Sequence, residues 1–192
     1  MPRIWSIKPG MTLRGRKFKG LRGWAGKPSH PPLTDIPVAA FVLAGVFDLI
    51  SAIAGKGSPV AHDFFVSGTH VIIAGLIVAV FAALTGIWDW WRSTEPGNQA
   101  RRTANWHMTV MVATTVVVIV DVILRLAQWD DGYSSAGITI LSVISALLVS
   151  YGATYGGSLV FDYGFNVETA GDHPVWHPSE ADVMPGEKKT IV

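Results

Sequence analysis

Six histidines are the first place to look for chemistry: His30, His62, His70, His107, His173 and His177. Two imidazoles held at one depth in a membrane bundle can ligate a b-type haem from both faces. His30 and His107 are the one pair that qualifies, because each sits at the same boundary of an apolar run. His70 falls near the opposite boundary, where no other apolar run supplies a partner. Against haem stands the setting of His30, a segment with Pro28, Pro31 and Pro32 that is expected to stay non-helical until about residue 37. The simpler expectation is that His30 and His107 bond backbone and carboxylates and close that end of the bundle. His173 and His177 are each followed by Pro, which denies them a common helical face, and no acid or Cys completes a metal set there.

The second constellation is a set of ionisable groups inside apolar runs: Asp48, His70, Asp121 and Arg125. Counted from the end nearest the basic N-terminus at about 1.5 Å per residue, Asp48 lies roughly 16 Å deep and Asp121 roughly 21 Å. Arg125 and His70 lie near 27 Å by the same estimate. All four are expected to meet in the far half of a bundle. An ionisable group at such depth costs several kcal/mol unless paired, which makes a proton or ion pathway through Asp48 and Asp121 worth weighing. Asp121 and Arg125 are also a favourable i, i+4 pair, so the set can equally be a neutralised staple between helices.

Four apolar runs must position these groups. The longest covers residues 64–91, and from Phe64 to Trp88 it contains no Asp, Glu, Lys or Arg. At 1.5 Å per residue it reaches roughly 40 Å, enough to cross a bilayer with tilt. It closes on Trp88, Asp89, Trp90, Trp91 and Arg92, an aromatic and charged collar suited to a headgroup boundary. The other spans are expected at about 37–54, 107–128 and 138–161, with a polar turn at 92–106. Ala44, Gly45, Ser51 and Ala52 share a helical face with Asp48, and that face is expected to pack against another helix. Gly152, Gly156 and Gly157 mark close backbone approach in the last span. The fold expected is all-α: an antiparallel bundle of four transmembrane helices with irregular tails. Its divisions fall at 1–30, 31–166 and 167–192.

Composition agrees. Of 192 residues, 49% are hydrophobic and 15% charged, well below the ~25% charged residues of a soluble domain. There is no Cys, which excludes disulfides, zinc thiolates and iron–sulfur clusters. No HExxH, GxSxG, GxGxxG or Walker sequence occurs, so no catalytic residue is assigned. The first thirty residues carry Arg14, Arg16, Lys17, Lys19 and Arg22 interleaved with Trp5, Phe18 and Trp24. Beside a membrane span this reads as contact with anionic lipid or an acidic partner, not nucleic acid. The C-terminal tail is acidic, with Trp176 as an aromatic anchor suited to a protein surface. The N-terminal segment and the 92–106 turn hold eleven of the fifteen Lys and Arg, so the positive-inside rule places both termini in the cytoplasm.

Several short segments resemble a known family. They are His30-Pro31-x-x-x-Asp35-x-Pro37, Leu84-Thr85-Gly86-x-x-Asp89-Trp90, Arg101-Arg102-x4-His107 and Gly156-Gly157-x-Leu159-Val160-x3-Gly164. In order and spacing they resemble the bacterial predicted membrane proteins grouped as domain-of-unknown-function family 2231, over about residues 29–166. The resemblance implies a four-helix bacterial membrane domain, sometimes fused to or encoded with redox modules, and brings no agreed activity. The expectation drawn from all of this is a non-catalytic subunit of a larger complex in the bacterial plasma membrane, with no cofactor expected. It would dock through its tails and small-residue helix faces onto partner subunits. The alternatives are a haem b electron carrier using His30 and His107, and the ion pathway through Asp48 and Asp121.

Overall fold

The structure, a computed structural model, describes residues 20–23, 28–165 and 167. Four long helices account for most of them: α1 (His30–Ala54), α2 (Pro59–Ser93), α3 (Gln99–Ala127) and α4 (Ala136–Phe161). Each is long and apolar enough to cross a membrane. Among the described residues no strand forms, and a single isolated bridge joins Arg22 to Pro28.

All four helices start earlier than the sequence suggests, the first and third by the most. Pro31 and Pro32 do not delay α1; they occupy its first turn, where a missing N–H breaks no hydrogen bond. His30 is therefore a helical residue, which removes the objection to it as a helix-borne ligand. The 92–106 segment is likewise not all turn. Asn98 accepts the Arg101 N–H at 2.8 Å and caps α3, so residues 99–106 extend that helix by two turns.

The connections are short. Gly55 and Gly57 take φ of 79° and 86° between α1 and α2, a backbone region open to glycine at little cost. A 3-10 turn, Trp129–Asp131, ends at Gly132 before α4 begins. Lys56 donates to Asp131 at 2.7 Å and ties the two connections together. That contact raises the Lys56 pKa, mainly through the hydrogen bond.

Consecutive helices meet in reverse order along the chain. His30 of α1 reaches Ala82 of α2, Phe47 packs on Phe64 at 5.4 Å between ring centroids, and Ser51 donates to the Ala61 carbonyl at 2.8 Å. Likewise His107 of α3 meets Gly152 of α4, and Leu124 lies against Gly137. Small residues allow these approaches: a Cβ on Gly75 would lie 2.5 Å from that of Ala40. The face of α1 that carries Asp48 packs as expected, with Gly45 against Ser142 and Ala146 of α4. Ala40, Phe41, Ala44, Ile72, Ala79, Val118 and Val149 form the core. Large apolar side chains such as Phe81, Leu84, Ile123 and Leu147 are exposed, the pattern of a bundle solvated by lipid.

Candidate functional site

Two polar centres lie near opposite ends of the bundle, separated along α1 by the 18 positions from His30 to Asp48, about 27 Å of helix. The first contains Arg125, Asp48 and Asp121, all completely buried. Arg125 Nε donates to Asp121 Oδ1 at 3.0 Å. Its Nη1 donates to Asp48 Oδ1 at 3.1 Å and to Thr69 Oγ1 at 3.4 Å. Its Nη2 pairs with Asp48 Oδ2. Ser134 donates to Asp48 Oδ1 at 2.6 Å, and the Ser142 hydroxyl lies 2.8 Å from Asp121 Oδ2 and also bonds Asp48. One guanidinium thus binds carboxylates from α1 and α3, with hydroxyls from α2, α4 and the loop before α4 completing the set.

His70 does not belong to this centre. It is exposed, and its Nδ1–H donates to the Val66 carbonyl of its own helix at 2.8 Å. Its ring stands against Trp129 at 6.3 Å. A step of 100° along α2 decides the matter: Thr69 faces Arg125, so the next residue is turned away.

The second centre is built around His30 and His107. His30 Nδ1 lies 2.9 Å from the Ala82 carbonyl oxygen of α2. His107 Nδ1 lies 2.9 Å from the Gly152 carbonyl oxygen of α4. A carbonyl can only accept, so each Nδ1 carries a proton, and in the neutral imidazole each Nε2 then keeps its lone pair. Neither Nε2 has a hydrogen-bond partner among the described residues. The ring centroids are 6.4 Å apart with planes at 81°. An imidazole nitrogen binds a first-row metal at about 2 Å, so His30 and His107 are close enough to hold one metal between them.

Glycine lies beside each ring. A Cβ on Gly86 would come 2.7 Å from His30 Cε1, and one on Gly156 would come 3.3 Å from His107 Cε1. Among the described residues no three His, Cys, Asp or Glu side chains gather as a metal site. A metal held here would draw its remaining ligands from its own macrocycle, the arrangement of haem.

The same end carries a half-buried cation. Arg101 Cζ sits 3.7 Å over the Trp90 ring, and Trp90 Nε1 donates to Asn105 at 2.7 Å. Asp89, buried, accepts the Leu21 N–H at 2.9 Å and clasps the N-terminal segment to α2. The basic residues Arg14, Arg16, Lys17 and Lys19, with Trp24, Trp176, His173 and His177, lie outside the described residues. Arg22 is described, in its bridge with Pro28.

The helices and their buried polar centres define a four-helix membrane protein. Residues 26–169 match the family described as Predicted membrane protein (DUF2231), and the chain belongs to that family. No curated protein and no solved structure matches it. His30, Gly86, Asp89, Trp90, Arg101, His107 and Gly156, which belong to the segments that carry the resemblance, all fall at the histidine end.

Proposed function

We propose that this chain is a membrane electron carrier that holds a b-type haem between His30 and His107. The observation that carries the reading is the pair of rings anchored at Nδ1, 6.4 Å apart, with Nε2 of each unbonded among the described residues. Backbone carbonyls fix the tautomer and orientation of both rings, the outer-sphere arrangement expected of ligating imidazoles. The absence of a side chain at Gly86 and Gly156 lets each imidazole lie directly against its neighbouring helix. When bound, the haem would supply reversible one-electron chemistry. The chain's part is to present two nitrogens, orient them and surround them with apolar helix.

This reading retains the subunit expectation in a more specific form. No residue of the chain is assigned a catalytic role, so an electron that arrives must leave to a partner in the membrane or at its surface. The Lys and Arg distribution favours a bacterial plasma-membrane orientation with both termini cytoplasmic, and the His30–His107 end would then face the cytoplasm. The basic N-terminal residues suit anionic headgroups, and the acidic tail with Trp176 suits a protein surface. We read the Arg125 centre as a neutralising staple rather than an ion path, because Arg125 engages both carboxylates at once.

The test is haem content. Full-length protein expressed with haem precursor and purified in mild detergent should carry one haem per chain. His30→Ala and His107→Ala should each lose it while keeping their helix content by circular dichroism. A wild-type protein that purifies without haem, under conditions that load another b-haem protein, would end the reading.

A further inference from the structure

Arg101 is held with unusual completeness for a cation near a membrane boundary. Its Nη1 donates to the Trp90 carbonyl at 3.3 Å and to the Thr94 carbonyl at 3.2 Å, and also to Thr94 Oγ1. Its guanidinium stacks on Trp90, itself fixed by Asn105. Nε and Nη2 have no hydrogen-bond partner among the described residues, and no described carboxylate pairs with this arginine. Asp89, the buried acid on the neighbouring turn, is engaged by Leu21 instead. A half-buried guanidinium fixed on one edge, with its other edge unpartnered among the described residues, is suited to bind a carboxylate through two parallel N–H bonds.

Its place on the helices gives the distance to the histidines. Trp90, the ring beneath Arg101, is four residues beyond Gly86, which touches His30; that is about 6 Å along α2. Arg101 is six residues before His107, about 9 Å along α3. Arg101 therefore lies one to two turns outward from the imidazole pair. A half-buried cation at that distance is placed where a carboxylate of an acid-bearing porphyrin held by the two histidines could reach it. Arg102 is not equivalent: it is exposed, and its Nη1 bonds the Gly97 carbonyl in its own turn.

We infer that Arg101 seats a carboxylate of the porphyrin held by His30 and His107, so that the bundle selects a porphyrin with free acid groups over a neutral one. This rests on the haem reading above. The shared chemistry, an anionic oxygen group, could also come from a lipid phosphate, and the test separates the two sources.

Full-length apoprotein in detergent is titrated with iron protoporphyrin IX and with its dimethyl ester, following the low-spin absorption bands. Wild type should bind the free acid about tenfold more tightly than the ester, as expected when a charge-assisted hydrogen bond is lost. Arg101→Gln should bring the two affinities together, while Arg102→Gln keeps the preference. If Arg101→Gln keeps the wild-type ratio, the seat is overturned although the haem reading stands. If the ratio is unchanged and phosphorus analysis shows that Arg101→Gln has lost a co-purifying anionic lipid, Arg101 is a lipid contact and the inference is likewise overturned. If neither porphyrin gives low-spin bands, it is the haem reading that falls.

Discussion

The His30 and His107 rings meet edge-on between α1 and α3, with centroids 6.4 Å apart and planes at 81°. They belong to helices that are not neighbours in the chain, and each is held by a carbonyl from a different neighbouring helix, Ala82 for one and Gly152 for the other. Neither hydrogen bond by itself brings the two rings together; the proposed haem would use that proximity.

The clearance around His30 makes a first prediction. A Cβ on Gly86 would sit 2.7 Å from Cε1 and 3.0 Å from Nδ1 of His30, so Gly86→Ala must displace a ring that is tied to Ala82. Overpacking of this kind costs about 1–3 kcal/mol. The expected outcome is weakened haem retention in Gly86→Ala, with a smaller effect in Gly156→Ala, where the approach is 3.3 Å. Equal retention in wild type and both variants, by pyridine haemochrome assay, would contradict the geometry.

The Arg125 centre makes a second. Arg125→Ala leaves two buried carboxylates without their counter-charge and should cost about 3–5 kcal/mol. Adding Asp121→Ala should recover part of that loss, and adding Asp48→Ala as well should recover more. Thermal unfolding in detergent measures the series. Strictly additive losses would reject a coupled network.

How far the sequence reveals these centres depends on the range of the signal. The four spans are legible because long apolar runs without charge have one physical explanation. The Asp121–Arg125 pair is legible because i, i+4 is a local relation. The bond from Arg125 to Asp48 is not, since it joins α1 to α3 across 77 positions and depends on how the helices turn toward each other. Depth alone likewise cannot distinguish His70 from Thr69, one residue and about 100° apart, and it is Thr69 that meets Arg125. Ser134 and Ser142 gave no signal, because a hydroxyl in an apolar helix commonly bonds its own backbone. The early start of α1 is not legible because Pro31 and Pro32 signal a break anywhere except the first turn, where they are tolerated.

The Lys56–Asp131 contact predicts a pH dependence at the loop end. Lys56 has its pKa raised above the ordinary 10.5, first by its hydrogen bond with Asp131. A raised folded-state value means the stabilisation is fully present below the unfolded pKa and is lost as pH rises through the folded one. Asp131→Asn should therefore melt slightly below wild type at pH 8, and the gap should close in strongly alkaline buffer. Both side chains are largely exposed, 64% and 41%, so the gap is small. A gap that widens with alkalinity would contradict the assignment.

Orientation is checked by reporter fusion. Alkaline phosphatase joined after Val192 should be inactive, and the same enzyme inserted in the 130–136 connection should be active. The reverse pattern would put the histidine end outside.

The central claim is tested most directly by low-temperature electron paramagnetic resonance of the oxidised full-length protein. Two axial imidazoles with nearly perpendicular planes should give a highly anisotropic low-spin ferric signal, lost in both His30→Ala and His107→Ala. A purely high-spin signal, or a low-spin signal that survives either substitution, would contradict ligation by this pair.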